Sequence, residues 1–332
     1  MNNEQIHRIF EQFSHFNILI IGDVMIDTYF WGKVDRISPE APVPIIARTK
    51  IEHRLGGAGN VALNVQSLGA TPYLCSVIGK DDKSNILIEL LHEKKLPDEG
   101  ILQDKSRITT IKTRVISDNQ HLLRIDEEIT DNITPEIQKS FIEHLQNLIE
   151  KKHINAIIFE DYDKGVITPE IISETVKIAR QKNIPTLVDP KKRNFMDYHG
   201  VSLFKPNFKE LVEGLKLDIE KNDFDALHQA ANTLRKKMKI ETVMITLSEL
   251  GIYINDNGSY HNIPAEVRDI ADVSGAGDTV ISTASLCLAA GMQPDEIAFI
   301  SNLAGGLVCE KVGVVPIDKN LLIEEYLEIK KE

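Results

Sequence analysis

Asn17-Ile18-Leu19-Ile20-Ile21-Gly22-Asp23 is an apolar run of strand length that stops on Gly-Asp. Similar runs recur downstream: TPYLCSVIG (71–79), NAIIFED (155–161), IPTLVD (184–189), VSLFKPN (201–207) and ETVMIT (241–246). Helical patterns at 58–68, 82–95, 135–152, 168–182 and 222–238 separate most of them. Strands apolar on both faces and alternating with helices indicate a parallel, doubly wound α/β sheet. Upstream, Ile6, Ile9, Phe10 and Phe13 fall at helical spacing and read as a short amphipathic helix. Downstream, two helical stretches, 276–290 and 294–311, are expected to close the chain.

Two stretches break the alternation. Residues 32–55 are rich in Pro and β-branched residues, with SPEAPVPII at 38–46. Residues 107–126 alternate with period two around a turn at Asp118-Asn119, as a β-hairpin does. Paired together, they would form a small sheet outside the main one, placed like a lid. The expected organisation is therefore one domain, 1–332, with an inserted lid. No internal repeat or Pro/Gly/Ser linker argues for a second domain.

The chain carries 38 Lys and Arg against 50 Asp and Glu, a net charge of -12. A general nucleic-acid binder usually shows a basic surplus, so none is expected. From Lys105 to Arg124, however, five basic residues (Lys105, Arg107, Lys112, Arg114, Arg124) accompany one acid, Asp118. An acidic chain with such a patch can still bind an anionic small molecule. Cys75, Cys287 and Cys309 lie scattered in apolar stretches and read as buried thiols. No run approaches the ~18 apolar residues of a membrane span. The N-terminus lacks the basic start and apolar core of a signal peptide, so the cytoplasm is the expected location and no membrane partner is expected.

Two glycine-rich motifs carry the chemistry. Asp272-Val273-Ser274-Gly275-Ala276-Gly277-Asp278 opens a long helical pattern. Small residues let the N–H groups of Gly275, Ala276 and Gly277 converge, and a helix start adds positive dipole. Asp278 in the first turn is placed to take a proton from a hydroxyl while phosphate charge is held nearby. It can also serve simply as a first-turn acid. Gly56-Gly57-Ala58-Gly59-Asn60 precedes a second helix, where Asn60 can cap the helix or bond a ligand hydroxyl. Gly57 to Ala62 also fits the dinucleotide fingerprint G-x-G-x-x-A, but an irregular segment separates it from the first strand, against a nicotinamide site. No P-loop string occurs.

Together these motifs resemble those of the ribokinase-like (PfkB) carbohydrate kinase family, in the same order and over nearly the whole chain. The strings GDVMIDTYFWG (22–32), RISPEAPVPI (36–45), KTRV (112–115), QHLLRID (120–126), DYDKG (161–165), VDPK (188–191) and KPNFKE (205–210) resemble one branch of it, the D-glycero-β-D-manno-heptose 7-phosphate kinases. That branch forms the kinase half of a bifunctional ADP-heptose synthesis protein. The resemblance implies a three-layer α/β/α body with a β lid, ATP and Mg²⁺ as cofactors, and a homodimer formed through the lid. A monovalent cation is a further implied cofactor. The implied reaction is transfer of phosphate from ATP to the anomeric hydroxyl of the heptose 7-phosphate, in making the ADP-heptose precursor of lipopolysaccharide core. Another sugar acceptor, or a sensor without activity, are the alternatives.

The resemblance also implies site residues. Asp278 is the base and Gly275, Ala276 and Gly277 the anion hole. Asp27, Gly56, Gly57, Asn60 and Asp161 line the sugar pocket, with Lys112, Arg114 and Arg124 from the lid. Alternation puts Lys112 and Arg114 on one strand face, suited to a distal phosphate. Lys164, Lys191, Asn207, Glu210, Thr246, Ser248, Gly251 and Asn302 fall to ATP. Asn207 and Glu210 would hold Mg²⁺ through water, and their N-x-x-E spacing equally suits a capping box. Asp189 lies in the same strand-end loops, where ligands of a doubly wound sheet gather. Lys192-Arg193 departs from the branch pattern of smaller residues. No H-x-G-H string of a nucleotidyltransferase occurs, so a separate nucleotidyltransferase and a phosphatase are the expected pathway partners.

Overall fold

The computed structural model describes residues 3–118, 120–256 and 259–331. Asn119, half of the expected lid turn, lies outside them. In chain order the strands are β1 (Asn17–Gly22), β2 (Val24–Ile37), β3 (Pro44–Gly57), β4 (Thr71–Gly79), β5 (Ile101–Asp104), β6 (Ile111–Ser117) and β7 (Gln120–Glu127), followed by β8 (Ala156–Glu160), β9 (Thr186–Asp189), β10 (Leu203–Phe204), β11 (Thr242–Thr246), β12 (Ile252–Asn255) and β13 (Tyr260–Ile263). The helices are α1 (Asn3–Gln12), α2 (Ala58–Ser67), α3 (Asp82–Glu93), α4 (Pro135–Lys151), α5 (Pro169–Gln181), α6 (Phe208–Leu215), α7 (Phe224–Met238), α8 (Ala276–Ala289), α9 (Pro294–Cys309) and α10 (Lys319–Ile329).

Among the described residues the main sheet has nine strands, ordered β13-β12-β11-β10-β9-β8-β1-β4-β5. Its pairings are parallel from β11 to β5. The expectation of a purely parallel sheet needs one correction: β12 and β13 join by antiparallel pairings at one edge. Alternate strand residues feed two cores. Ile18, Ile20, Ile158 and Leu187 pack with α1, α2, α3, α8, α9 and α10. Leu19, Ile21, Ile157, Phe159 and Val188 pack with α4, α5, α6 and α7. Strands buried on both faces, from the two residues of β10 to the nine of β4, leave no polar face, which is why the runs read as continuously apolar.

β3, β2, β6 and β7 form a separate four-stranded sheet in that order. The lid is longer than the sequence suggested, 24–57 and 111–127 instead of 32–55 and 107–126. Asp23 alone separates β1 from β2, so the core strand runs directly into the lid. Ser76 Oγ bridges that break, donating to the Gly22 carbonyl at 2.6 Å and accepting from Val24 N–H at 3.4 Å. A further correction concerns the C-terminus, where a third helix, α10, follows the two expected. All three cysteines are buried and free. No helix among the described residues is long and apolar enough to cross a membrane.

Candidate active site

The order of strands reverses at β1, with β4 on one side and β8 on the other. The crevice beyond such a switch point is where an open α/β sheet binds ligands. Gly22, Glu160, Asp189 and Lys205 all lie at carboxyl ends of strands there. α8 points its start at the same place. Gly275 enters it at φ +82°, and a Cβ there would stand 3.0 Å from Asn60 Nδ2. No side chain caps α8, although the Ala276 N–H donates to the Val273 carbonyl at 3.4 Å; an uncapped helix start is favourable for an anion.

Asp278 is 7% exposed in that first turn. Asn60 Nδ2 donates to its Oδ2 at 2.6 Å, and the Tyr162 hydroxyl donates to its Oδ1 at 3.1 Å. Asn60 is therefore not a cap; Gly57 holds the cap position of α2, and the Asn60 side chain crosses to α8. Burial pushes the Asp278 carboxyl up to about 6, with the Asp189 charge adding and the Asn60 and Tyr162 hydrogen bonds opposing. Glu160, Asp189 and Asp278 have carboxylate oxygens within 4.8 Å of one another. Lys205 Nζ sits 2.7 Å from Asp189 Oδ2 and neutralises one of the three. Glu160 is 1% exposed and its Oε2 has no partner. Burial first, then Asp189 and Asp278, hold its carboxyl well above the usual range.

On the lid side, Asp27 Oδ1 accepts from Arg114 at 2.6 Å. Gly56 makes room for this carboxylate, since a Cβ there would lie 2.4 Å from Asp27 Oδ2. Gly57, at φ +58°, brings the chain back against the Asp23 carbonyl. The guanidinium carbons of Arg54 and Arg114 lie 4.8 and 5.3 Å from the Tyr29 ring centroid. Arg114 is thus committed to Asp27, and Arg124 to Asp126 at 2.6 Å. Lys112 is different: its ammonium lies 5.9 Å from the Tyr162 ring centroid. Burial, then Lys164 and Arg124, push its pKa down, so it is a cation short of counter-charge.

The loop 161–166 is tied to Asp23, whose carboxylate accepts the N–H groups of Tyr162, Lys164 and Val166 at 2.9–3.1 Å. Two expectations need correcting here. Asp161 does not face the sugar pocket, because its Oδ2 accepts from Asn194 and Tyr198 and its Oδ1 from Asp163 N–H. Lys164 does not lie with the nucleotide residues, because it pairs with Glu128 at the foot of the lid, near Lys112. Arg107 also leaves the cationic lid patch. It is buried and donates to the carbonyls of Asp131 and Lys164. Arg193 anchors the loop after β9 by donating to the Thr130 carbonyl at 2.5 Å.

Asn207 and Glu210, expected beside ATP, form a complete capping box at the start of α6. Glu210 Oε1 also accepts from Lys191, whose Nζ lies 5.5 Å from the Tyr162 centroid. Thr246 ends β11 in a bridge to Asn207. Ser248 and Gly251 shape the turn into β12 with φ of +54° and +85°, and a Cβ on Gly251 would strike the Ile263 carbonyl at 2.0 Å. Asn302 donates to the Pro264 carbonyl at 2.8 Å and holds the start of the loop leading to the α8 motif.

Tyr162, Glu160, Lys205, Arg54 and Asp23 escaped the sequence reading. Asp23, Glu160, Tyr162 and Lys205 sat inside strings already singled out, GDVMIDTYFWG, NAIIFED, DYDKG and KPNFKE, where their neighbours drew notice first.

The chain matches the family described as pfkB family carbohydrate kinase over residues 16–320. It is 37% identical over 327 residues to the bifunctional protein HldE of Geotalea uraniireducens, covering 98% of this chain and 66% of that one. Against the HldE of Aliarcobacter butzleri it is 40% identical over 297 residues, covering 90% of this chain and 61% of that one. The chain thus spans less than two thirds of these relatives' length. Escherichia coli phosphofructokinase-2 in complex with potassium superposes with a TM-score of 0.77 at 16% identity, over 96% of this chain and 99% of that one. An Arabidopsis thaliana ribokinase complexed with ribose and ATP does so at 0.71 and 15%, over 93% and 98%.

Proposed function

The chain belongs to the pfkB family of carbohydrate kinases, and from that premise we propose that it phosphorylates the anomeric hydroxyl of D-glycero-β-D-manno-heptose 7-phosphate from ATP, giving the 1,7-bisphosphate for ADP-heptose synthesis. One observation carries the mechanism: a buried carboxylate, Asp278, stands in the first turn of an uncapped helix beneath a cation-bearing lid. The likeness to the HldE proteins supports the choice of sugar.

The sugar lies between lid and body, with Asp27 and Asn60 on its hydroxyls and Lys112 on the distal phosphate. Asp278 accepts the proton of the anomeric hydroxyl as that oxygen attacks the γ-phosphorus in line. A carboxylate with a pKa of about 6 is ionised at neutral pH yet more basic than an ordinary one. The N–H groups of Gly275, Ala276 and Gly277 meet the charge that grows on the phosphoryl oxygens. The lid excludes water, which would otherwise accept the phosphoryl group. Asn207 and Glu210 would hold Mg²⁺ through water, since their oxygens already serve the capping box and Lys191. Mg²⁺ held there would supply neutralising charge to the triphosphate. A monovalent cation belongs to the same reading, on the strength of the potassium complex of phosphofructokinase-2.

The test is a kinase assay across acceptors. Rapid ATP-dependent turnover is expected with heptose 7-phosphate and weak turnover with ribose or fructose 6-phosphate. Equal rates on all three would overturn the assignment.

The same reading includes a homodimer through the lid. Leu123 and Ile125 on β7 are 57% and 46% exposed, and alternation puts them on the strand face opposite Arg124. Apolar side chains repeated on an edge strand invite pairing with another chain. Light scattering is expected to show a dimer for the wild type and a monomer for Leu123→Glu combined with Ile125→Glu. A wild-type monomer would remove the proposal.

A further inference from the structure

Asp278 is held by two donors, and only one of them belongs to the glycine-rich motifs. The other is Tyr162, in the loop after β8. Its backbone N–H is fixed on Asp23 at 2.9 Å, together with two further N–H groups of the same loop. Its hydroxyl reaches Asp278 Oδ1, and two ammonium groups lie near its ring. Lys112 comes from the lid at 5.9 Å and Lys191 from the body at 5.5 Å. Cations are attracted to an aromatic ring at such distances. One side chain thus touches the base, a cation of the sugar-phosphate side and a cation that pairs with Glu210.

We propose that Tyr162 is a positioning residue for phosphoryl transfer, its hydroxyl fixing the orientation of the Asp278 carboxylate and its ring seating Lys112 and Lys191. The inference rests on Asp278 acting as the base. Asn60 alone leaves the carboxylate free to turn about one hydrogen bond; a second donor on the other oxygen fixes its plane, with a lone pair left on each oxygen for the substrate. Burial, then the charges of Asp278, Glu160 and Asp189, push the phenol pKa well up, so the hydroxyl remains a donor. The groups facing Asp278 are Glu160 from β8, Asp189 from β9, Lys205 after β10, Tyr162 itself and the uncharged Asn60 from α2.

Two measurements on the full chain test this. The first is NMR titration with ¹³C-labelled aspartate, Asp278 being assigned by its loss in Asp278→Asn. Removing one stabilising hydrogen bond in Tyr162→Phe should move the midpoint up by roughly half to one pH unit. No substrate is needed, so this arm stands apart from the assigned acceptor. The second is kinetics on heptose 7-phosphate. In Tyr162→Phe, which keeps the ring, kcat is expected to fall about tenfold with KM within about twofold of wild type, and the acid limb of the pH profile should rise with the NMR midpoint. Tyr162→Leu should raise KM as well, because the lysines lose their seat. An unmoved midpoint, or an unchanged kcat in Tyr162→Phe, overturns the inference. A wild type inactive on heptose 7-phosphate while the midpoint still moves overturns the acceptor and leaves the positioning role supported.

Discussion

Asp278→Asn is expected to lower kcat on the sugar phosphate by about 10³-fold, within the usual range for removing a general base, while KM for ATP stays near wild type. The amide preserves size and can still bond Asn60 and Tyr162, so the loss isolates proton acceptance. The same variant should be more stable than the wild type. Burial raises the Asp278 pKa from 3.8 to about 6, so the folded chain holds this proton more tightly than the unfolded one. A carboxyl shifted upward contributes stability at low pH that is lost as pH rises from about 4 to about 6. At pH 8 the native state therefore bears the cost of a buried carboxylate, on the order of 3 kcal/mol, which the neutral amide removes. Calorimetry should find a higher Tm for Asp278→Asn at pH 8 and a gap that narrows toward pH 5. An active variant would sink the role of Asp278; an active variant that also melts lower would sink the electrostatic account with it.

Lys112→Ala is expected to raise KM for heptose 7-phosphate by about 10²-fold, the loss typical of a charge-assisted hydrogen bond to a phosphate. Lys112 is chosen over its neighbours on geometry. Arg114 holds Asp27 and Arg124 holds Asp126, so neither has a charge to spare without breaking an existing pair. The KM for ATP should be unaffected. The control is the same heptose without its phosphate: wild type and Lys112→Ala should use it equally poorly, since the interaction removed by the mutation is absent from that substrate. Equal damage with both acceptors would move the phosphate elsewhere.

Much of this architecture was legible because the strands are apolar on both faces and the helices between them are amphipathic. NILIIG and TLVD admit hardly any other reading. What was missed has physical causes. β5 is four residues long, Ile-Leu-Gln-Asp, and only partly buried, too short and too polar at its end to show a periodicity. β13 reads Tyr-His-Asn-Ile and is largely exposed, so its sequence looks like a loop. The start of the lid was hidden because Val24 to Tyr29 are buried like a core strand, and only the pairing partner changes at Asp23. Asp278, Gly275 and Asn60 stood out in the sequence because glycine and aspartate spacing is distinctive, and the structure sets Asn60 against Asp278. Asp161 was misplaced since sequence cannot say which way an acid turns at a strand end. Tyr162, beside it, turns the other way.

The single residue between β1 and β2 has a mechanical consequence. A lid joined by a flexible linker can swing as a whole, but this one is clamped at its root. Asp23 grips the loop 161–166 with its carboxylate, and its carbonyl accepts the Ala58 N–H at 3.1 Å where the chain returns to the body. The lid is then a cantilever: its root shares the stiffness of the central sheet, and its travel must accumulate along the free length of β2 and β3. Amide exchange should be slow near Val24 and Gly57 and quicken toward Ile37 and Pro44. Substrate entry and release would flex the far tip, while the residues around Asp278 keep their places through the cycle.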